Sequence, residues 1–102
     1  MEISMQSIHF DADAKLLDYI QKKVEKLETF FDRIINADVI MRLENGGAKV
    51  QDKVLEIKLH VPGNTLLVKE TCKTFEEAVD LGTDSLKRQL VRYKEKARNQ
   101  HL

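Results

Sequence analysis

Apolar residues recur at Leu17, Ile20, Val24, Leu27, Phe31 and Ile34, with spacings of 3, 4, 3, 4 and 3. At 3.6 residues per turn these six side chains share one face, so the spacing predicts an amphipathic helix over about residues 14–34. Such a stripe must be laid against another element. The partners follow downstream. Over residues 38–44, Val39, Met41 and Leu43 alternate with Asp38, Ile40, Arg42 and Glu44. Over residues 53–61, Leu55, Ile57, Leu59 and Val61 alternate with more polar neighbours, among them Lys53, Glu56, Lys58 and His60. Residues 65–73 return with Leu66, Val68 and Cys72 on one side, and residues 2–7 read as a short strand with Ile3 and Met5 on one face. Period-2 alternation of this kind describes strands with one dry and one wet face.

The punctuation agrees with these elements. Asp11 and Asp13 are each suited to cap the first helix. ENGGAKVQDK, with Gly46 and Gly47, reads as a flexible connection. Pro62-Gly63-Asn64 signals a turn. Thr74-Phe75-Glu76-Glu77 has the capping-box pattern, with Thr74 as N-cap and Glu77 reaching back. A second helix then carries Phe75, Val79, Gly82, Leu86, Leu90, Tyr93 and Ala97 on one face. Gly82 on that face predicts close backbone packing against the sheet or the other helix. At ~1.5 Å per residue this helix runs ~35 Å. The fold class is therefore α+β, in the order β-α-β-β-β-α: a four-stranded sheet with two helices packed on one face.

Residues 1–102 fit one domain with a single core. Hydrophobic content of 42% beside 33% charged residues is globular. The lone Cys72 excludes an internal disulfide framework, and there is no apolar run approaching ~18 residues. MEISMQSIHF lacks the basic start of a signal peptide. The expectation is a soluble cytoplasmic protein with no membrane partner.

Charge is segregated. The chain has 17 Lys+Arg and 17 Asp+Glu, yet KRQLVRYKEKARNQ (residues 87–100) holds six bases and one acid. Residues 1–86 thus keep 17 − 6 = 11 bases and 17 − 1 = 16 acids. On a helical wheel Lys15, Lys22, Lys26 and Arg33 form a stripe opposite the apolar face of the first helix, with Lys23 off it. Lys87, Lys94 and Arg98 form a second stripe beside the apolar face of the last helix, and Arg88, Arg92 and Lys96 lie further round. The ordinary reading of such stripes is solvated surface, and Glu76, Glu77, Asp80 and Asp84 ahead of the bases complement the helix dipole. Two stripes side by side on one sheet face would instead form a joint cationic surface suited to phosphate backbones.

Other chemistry finds little support. His9, His60 and His101 lie on different elements without metal spacing. Cys72 beside Lys69 and Lys73 reads as a small apolar strand residue. Phe30 and Tyr93 read as partly buried and core aromatics, and Glu76 and Glu77 diverge on a helix. No catalytic residues, cofactor, metal or small-molecule substrate are expected.

Two segments carry a family resemblance. KKVEKLETFFDRI (residues 22–34) resembles the K-L-E-x-Y/F-F-D-R-I segment of the ribosome hibernation promoting factor and protein Y family. Leu86-Lys87-Arg88-Gln89-Leu90 with its basic continuation resembles that family's last helix, L-x-R-Q-L-x-K-x-K-x-K. The resemblance spans essentially the whole chain. It implies a fold similar to double-stranded-RNA-binding domains and a place on the small ribosomal subunit, in the channel of messenger and transfer RNA. Function would be inhibition of translation and preservation of idle ribosomes by occupancy. It further implies RNA-binding roles for Lys23, Lys26 and Arg33 in the first motif, and for Arg88, Arg92, Lys94, Lys96 and Arg98 in the second. Lys22 and Lys87 belong to the stripes but match less well. The implied partners are the small subunit and its 16S-type rRNA, with the protein monomeric off the ribosome. Unlike more basic relatives this chain is neutral, and the short form implied here lacks the further dimerising domain of long members. Two other readings remain open at this point: a general structured-RNA-binding module or RNA chaperone, and a protein-interaction domain using Arg42, Lys58 and Lys69 on the sheet.

Overall fold

The computed structural model describes residues 1–45 and 51–99. In chain order these form β1 (Glu2–Ile8), α1 (Ala14–Glu25), a 3-10 turn (Lys26–Thr29), β2 (Asn36–Asn45), β3 (Gln51–Val61), β4 (Asn64–Cys72) and α2 (Phe75–Asn99). The strands pair in the order β1-β2-β3-β4. β1 runs parallel to β2, with α1 in the crossover, and the other two pairings are antiparallel.

Register turns the alternation into one apolar layer. Ile3, Ala37, Leu59 and Leu66 lie side by side across the four strands, and so do Met5, Val39, Ile57 and Val68. Ile20 and Val24 from α1 and Val79, Leu86 and Leu90 from α2 bury against this layer in a single cluster, so both helices cover the same face. The opposite face carries Arg42, bonded to Glu44 at 2.9 Å and Glu56 at 2.7 Å, and His60, 3.0 Å from Asp38. It is not uniformly polar. Val54, in register with Arg42 and Thr71, is fully buried there.

The first helix is shorter than its apolar spacing predicts. α-Helical bonding ends at Glu25 and the chain tightens into the 3-10 turn. The Thr29 hydroxyl donates to the Lys26 carbonyl at 2.8 Å, while the Phe30 and Phe31 amides both donate to the Leu27 carbonyl, at 3.0 and 3.3 Å. A Thr that bonds back to the backbone, followed by two aromatics, is a poor continuation for an α-helix. Ile34 is buried all the same, because the descending chain holds it against the core. The apolar spacing thus continues past the end of the helix.

Caps follow the sequence more closely. Asp13, rather than Asp11, accepts from the Leu16 amide at 2.8 Å. Thr74 accepts from the Glu77 amide at 3.1 Å, but among the described residues the Glu77 side chain makes no reciprocal bond. Gly63 turns the β3–β4 hairpin at φ 77°, a conformation glycine adopts without strain. The ends of the connection read in ENGGAKVQDK are strand, since β2 runs to Asn45 and β3 starts at Gln51. Gly46 and Gly47 lie outside the described residues. Gly82 packs on the sheet, not on α1: a Cβ there would meet Val68, Ile57 and Leu55 side chains at 3.5–3.7 Å.

Candidate nucleic-acid interface

α2 is pinned at two places, once to α1 and once to the turn that follows α1. On one side, a single oxygen of Asp80 in α2 accepts from the Tyr19 hydroxyl at 2.6 Å and from the Lys23 ammonium at 3.1 Å, both in α1. On the other, Lys94 donates to the Phe30 carbonyl at 3.1 Å, and the Lys87 ammonium stands 4.7 Å above the Phe30 ring. The ring face attracts that cation through its quadrupole. Phe30 is therefore half-buried under a lysine from the neighbouring helix.

Between these contacts runs a groove lined by Lys23, Lys26, Phe30 and Lys87, with Asp80 and Asp84 on its α2 wall. A second groove, toward the end of α2, is lined by Phe31, Val91, Lys94 and Arg98. Arg92 and Lys96 belong to neither. They flank α2 on the side of the β3–β4 hairpin, near Asn64 and Tyr93. The Tyr93 hydroxyl donates to the Pro62 carbonyl there, while its ring meets Phe31 edge-on at 5.3 Å. Arg33 lies exposed in the turn after Thr29, so its wheel position on the first-helix stripe does not apply.

Some of the cations have acidic partners. Lys22 pairs with Asp18 at 2.9 Å and Arg88 with Asp84, each one helical turn away and open to solvent. Lys23 has Asp80. Among the described residues, Lys26, Arg33, Lys87, Arg92, Lys94, Lys96 and Arg98 have no acidic partner. Exposed i,i+4 pairs are weak, about 0.3–0.5 kcal/mol, and yield readily to a phosphate.

The part played by the acids of this surface is not apparent in the sequence. Asp80, Asp84 and Lys87 succeed one another at helical spacing, and Tyr19 precedes Lys23 by one turn. That spacing is the available signal, but nothing in it discloses that the two helices share a carboxylate. Its environment is distinctive. The Tyr19 hydrogen bond, then Lys23, hold the Asp80 carboxyl below its ordinary range, and the same hydrogen bond pushes the Tyr19 phenol up.

Elsewhere, burial pushes the Cys72 thiol up, with Glu77 and Glu70 adding to it, so Cys72 is no activated nucleophile. Among the described residues no cluster of His, Cys, Asp and Glu is placed to hold a metal. Among them, too, no helix is long and apolar enough to cross a membrane. What the helices offer is ammonium and guanidinium groups at intervals along two grooves and a flank, suited to a chain of phosphates.

Residues 3–98 match the family described as Sigma 54 modulation protein / S30EA ribosomal protein. The chain belongs to this family. Similar members include the ribosome hibernation promoting factor of Azotobacter vinelandii, 35% identical over 94% of this chain and 85% of that protein. The ribosome hibernation promotion factor of Bacillus subtilis is 26% identical over 94% of this chain, which corresponds to 50% of that longer protein. The fold is similar to a ribosomal subunit interface protein from Coxiella burnetii, with a TM-score of 0.82 and 25% identity over 93% of this chain and 99% of that one. It is also similar to the N-terminal domain of Thermus thermophilus protein Y, with a TM-score of 0.79, 24% identity and coverage of 91% and 99%. The family is thus one of ribosome hibernation factors, not of enzymes.

Proposed function

We propose that this protein inhibits translation by occupying the small ribosomal subunit, docking its helical face on 16S-type rRNA in the channel of messenger and transfer RNA. The observation that carries this reading is the gathering of Lys23, Lys26 and Lys87 around one groove and Lys94 and Arg98 around the next, with Arg92 and Lys96 on the adjoining flank. RNA helices favour recognition of this kind. Their deep major groove hides the bases, so a protein reads shape and phosphates. Arg33, Arg88 and Lys22 extend the cationic surface at its rim. The protein acts by occupancy, without cofactor or small-molecule substrate, in the cytoplasm during stress or stationary phase, and is monomeric off the ribosome.

Reversing charge at Arg88, Arg92 and Lys96 together tests it. These side chains are exposed and outside the core, so the circular dichroism spectrum and Tm should stay close to wild type. Binding to 30S subunits is expected to disappear. Wild-type affinity in the triple variant would contradict the proposal.

A further inference from the structure

The basic groove between the helices contains its own competitors for cations. Asp80 takes Lys23, and Asp84, one turn on, takes Arg88. Both carboxylates line the same groove as Lys23, Lys26 and Lys87. Their side chains are 46% and 60% exposed, so neither charge is required by the core. Asp80 is also ionised at neutral pH, because Tyr19 and Lys23 both stabilise its charged form.

An RNA phosphate entering this groove sits beside the two carboxylates, and to bind Lys23 it must take that cation from Asp80. A flexible or generic duplex gains little from the exchange. An RNA surface that places phosphates on Lys26 and Lys87, unpaired among the described residues, while keeping them clear of Asp80 and Asp84 avoids the repulsion. We infer that Asp80 and Asp84 are specificity determinants: acids in the binding groove that suppress attachment to RNA at large and so favour one folded RNA surface. The inference rests on the RNA-binding reading above and deepens it. It also gives the neutrality of the chain a local role, since the discriminating acids stand among the bases and not only on the remote sheet face.

Releasing a cation by neutralising its partner should tighten binding to a free RNA duplex roughly twofold, the range an exposed i,i+4 ion pair commands. It should also steepen the dependence of log K on log salt by about one contact, ~0.9. The test compares wild type, Asp84→Asn, Asp80→Asn and Glu2→Gln by fluorescence anisotropy on a 20-base-pair duplex at several salt concentrations. Glu2 is exposed on β1, on the sheet face away from the helices, so Glu2→Gln makes the same change in net charge elsewhere. The expected result is tighter binding and a steeper slope for Asp84→Asn, with Glu2→Gln like wild type. Asp80→Asn should behave like Asp84→Asn. Asp84→Asn is the decisive variant, because the ion pair of Asp84 lies within α2 and its loss leaves the bridge between the helices intact. Unchanged or weaker duplex binding in Asp84→Asn, an equal gain in Glu2→Gln, or no duplex binding in any variant would each overturn the inference. Co-sedimentation of the same proteins with ribosomes is scored separately. Wild type that binds duplex RNA but not ribosomes removes the ribosomal reading, while the duplex data still decide the role of the acids.

Discussion

At Asp80 one carboxylate oxygen serves two residues of the other helix, and the consequences for pH follow from the direction of each shift. The Asp80 carboxyl is held below its ordinary range, by Tyr19 first and Lys23 second. Its contribution to stability is therefore complete above the unfolded carboxyl value and is lost as pH falls through the lower folded value. The Tyr19 phenol is pushed up by the same hydrogen bond. Its contribution is complete below the ordinary tyrosine range and is lost as pH rises through the higher folded value. Because Asp80 is 46% exposed, solvent screening keeps the pair contribution under about 1 kcal/mol. Tm measured against pH should show the alkaline decline softened in Tyr19→Phe and the acid decline softened in Asp80→Asn. Profiles that parallel wild type at both ends would remove the shared carboxylate as a source of stability. Cys72 gives a simpler expectation. With its thiol pushed up by burial, it should react with a disulfide reagent at pH 8 more slowly than in urea-unfolded protein.

At the scale of elements, the alternating strands were legible in the sequence because one face of each is buried, and a slip by one residue would turn Val39, Met41, Leu55 and Ile57 to solvent. The N-cap at Thr74 was legible because its side chain is suited to a helix start, whereas the first cap was narrowed only to Asp11 or Asp13, of which the structure uses Asp13. The end of α1 was not. Leu27, Phe31 and Ile34 keep helical spacing, yet the last two are held by tertiary contacts, Phe31 against Tyr93 and Ile34 in the core. Periodicity reports burial, and burial is supplied by a turn as well as by a helix. The helical wheel already set Arg92 and Lys96 apart from Lys87, Lys94 and Arg98, and they lie on a different flank. What it did not disclose is that Asp80 and Asp84 share a groove with Lys87. Gly82 offers a test of α2 packing. A Cβ at this helical position would make contacts of 3.5–3.7 Å with side chains, which is ordinary van der Waals distance. Gly82→Ala should therefore raise stability by about 0.5–1 kcal/mol in urea titration, through the lower backbone entropy of alanine. A loss instead would mean that the sheet cannot accept even a methyl group there. Thr74→Ala should cost about 1 kcal/mol in the same assay, through loss of the bond to the Glu77 amide.

For the whole molecule, the fold divides labour between two faces of one sheet. One side is closed by the helices over a continuous core, so the surface those helices present is set by rigid packing, not by loops. Leu86, fully buried beneath that surface, should cost about 2–5 kcal/mol on truncation to Ala. The helical surface gathers cations from both ends of a neutral chain, and the family to which the chain belongs consists of ribosome hibernation factors. Binding through phosphates carries a salt signature. If about five cations each displace a counterion, affinity should fall by roughly 10²–10³ between about 50 and 200 mM salt. The most direct test is therefore sucrose-gradient co-sedimentation of the purified protein with 30S, 50S and 70S particles at those two salt concentrations. Migration with 30S and 70S but not 50S, present at the lower salt and lost or much reduced at the higher, is the predicted result. Protein left at the top of both gradients, or migration with 50S alone, would contradict a site on the small subunit.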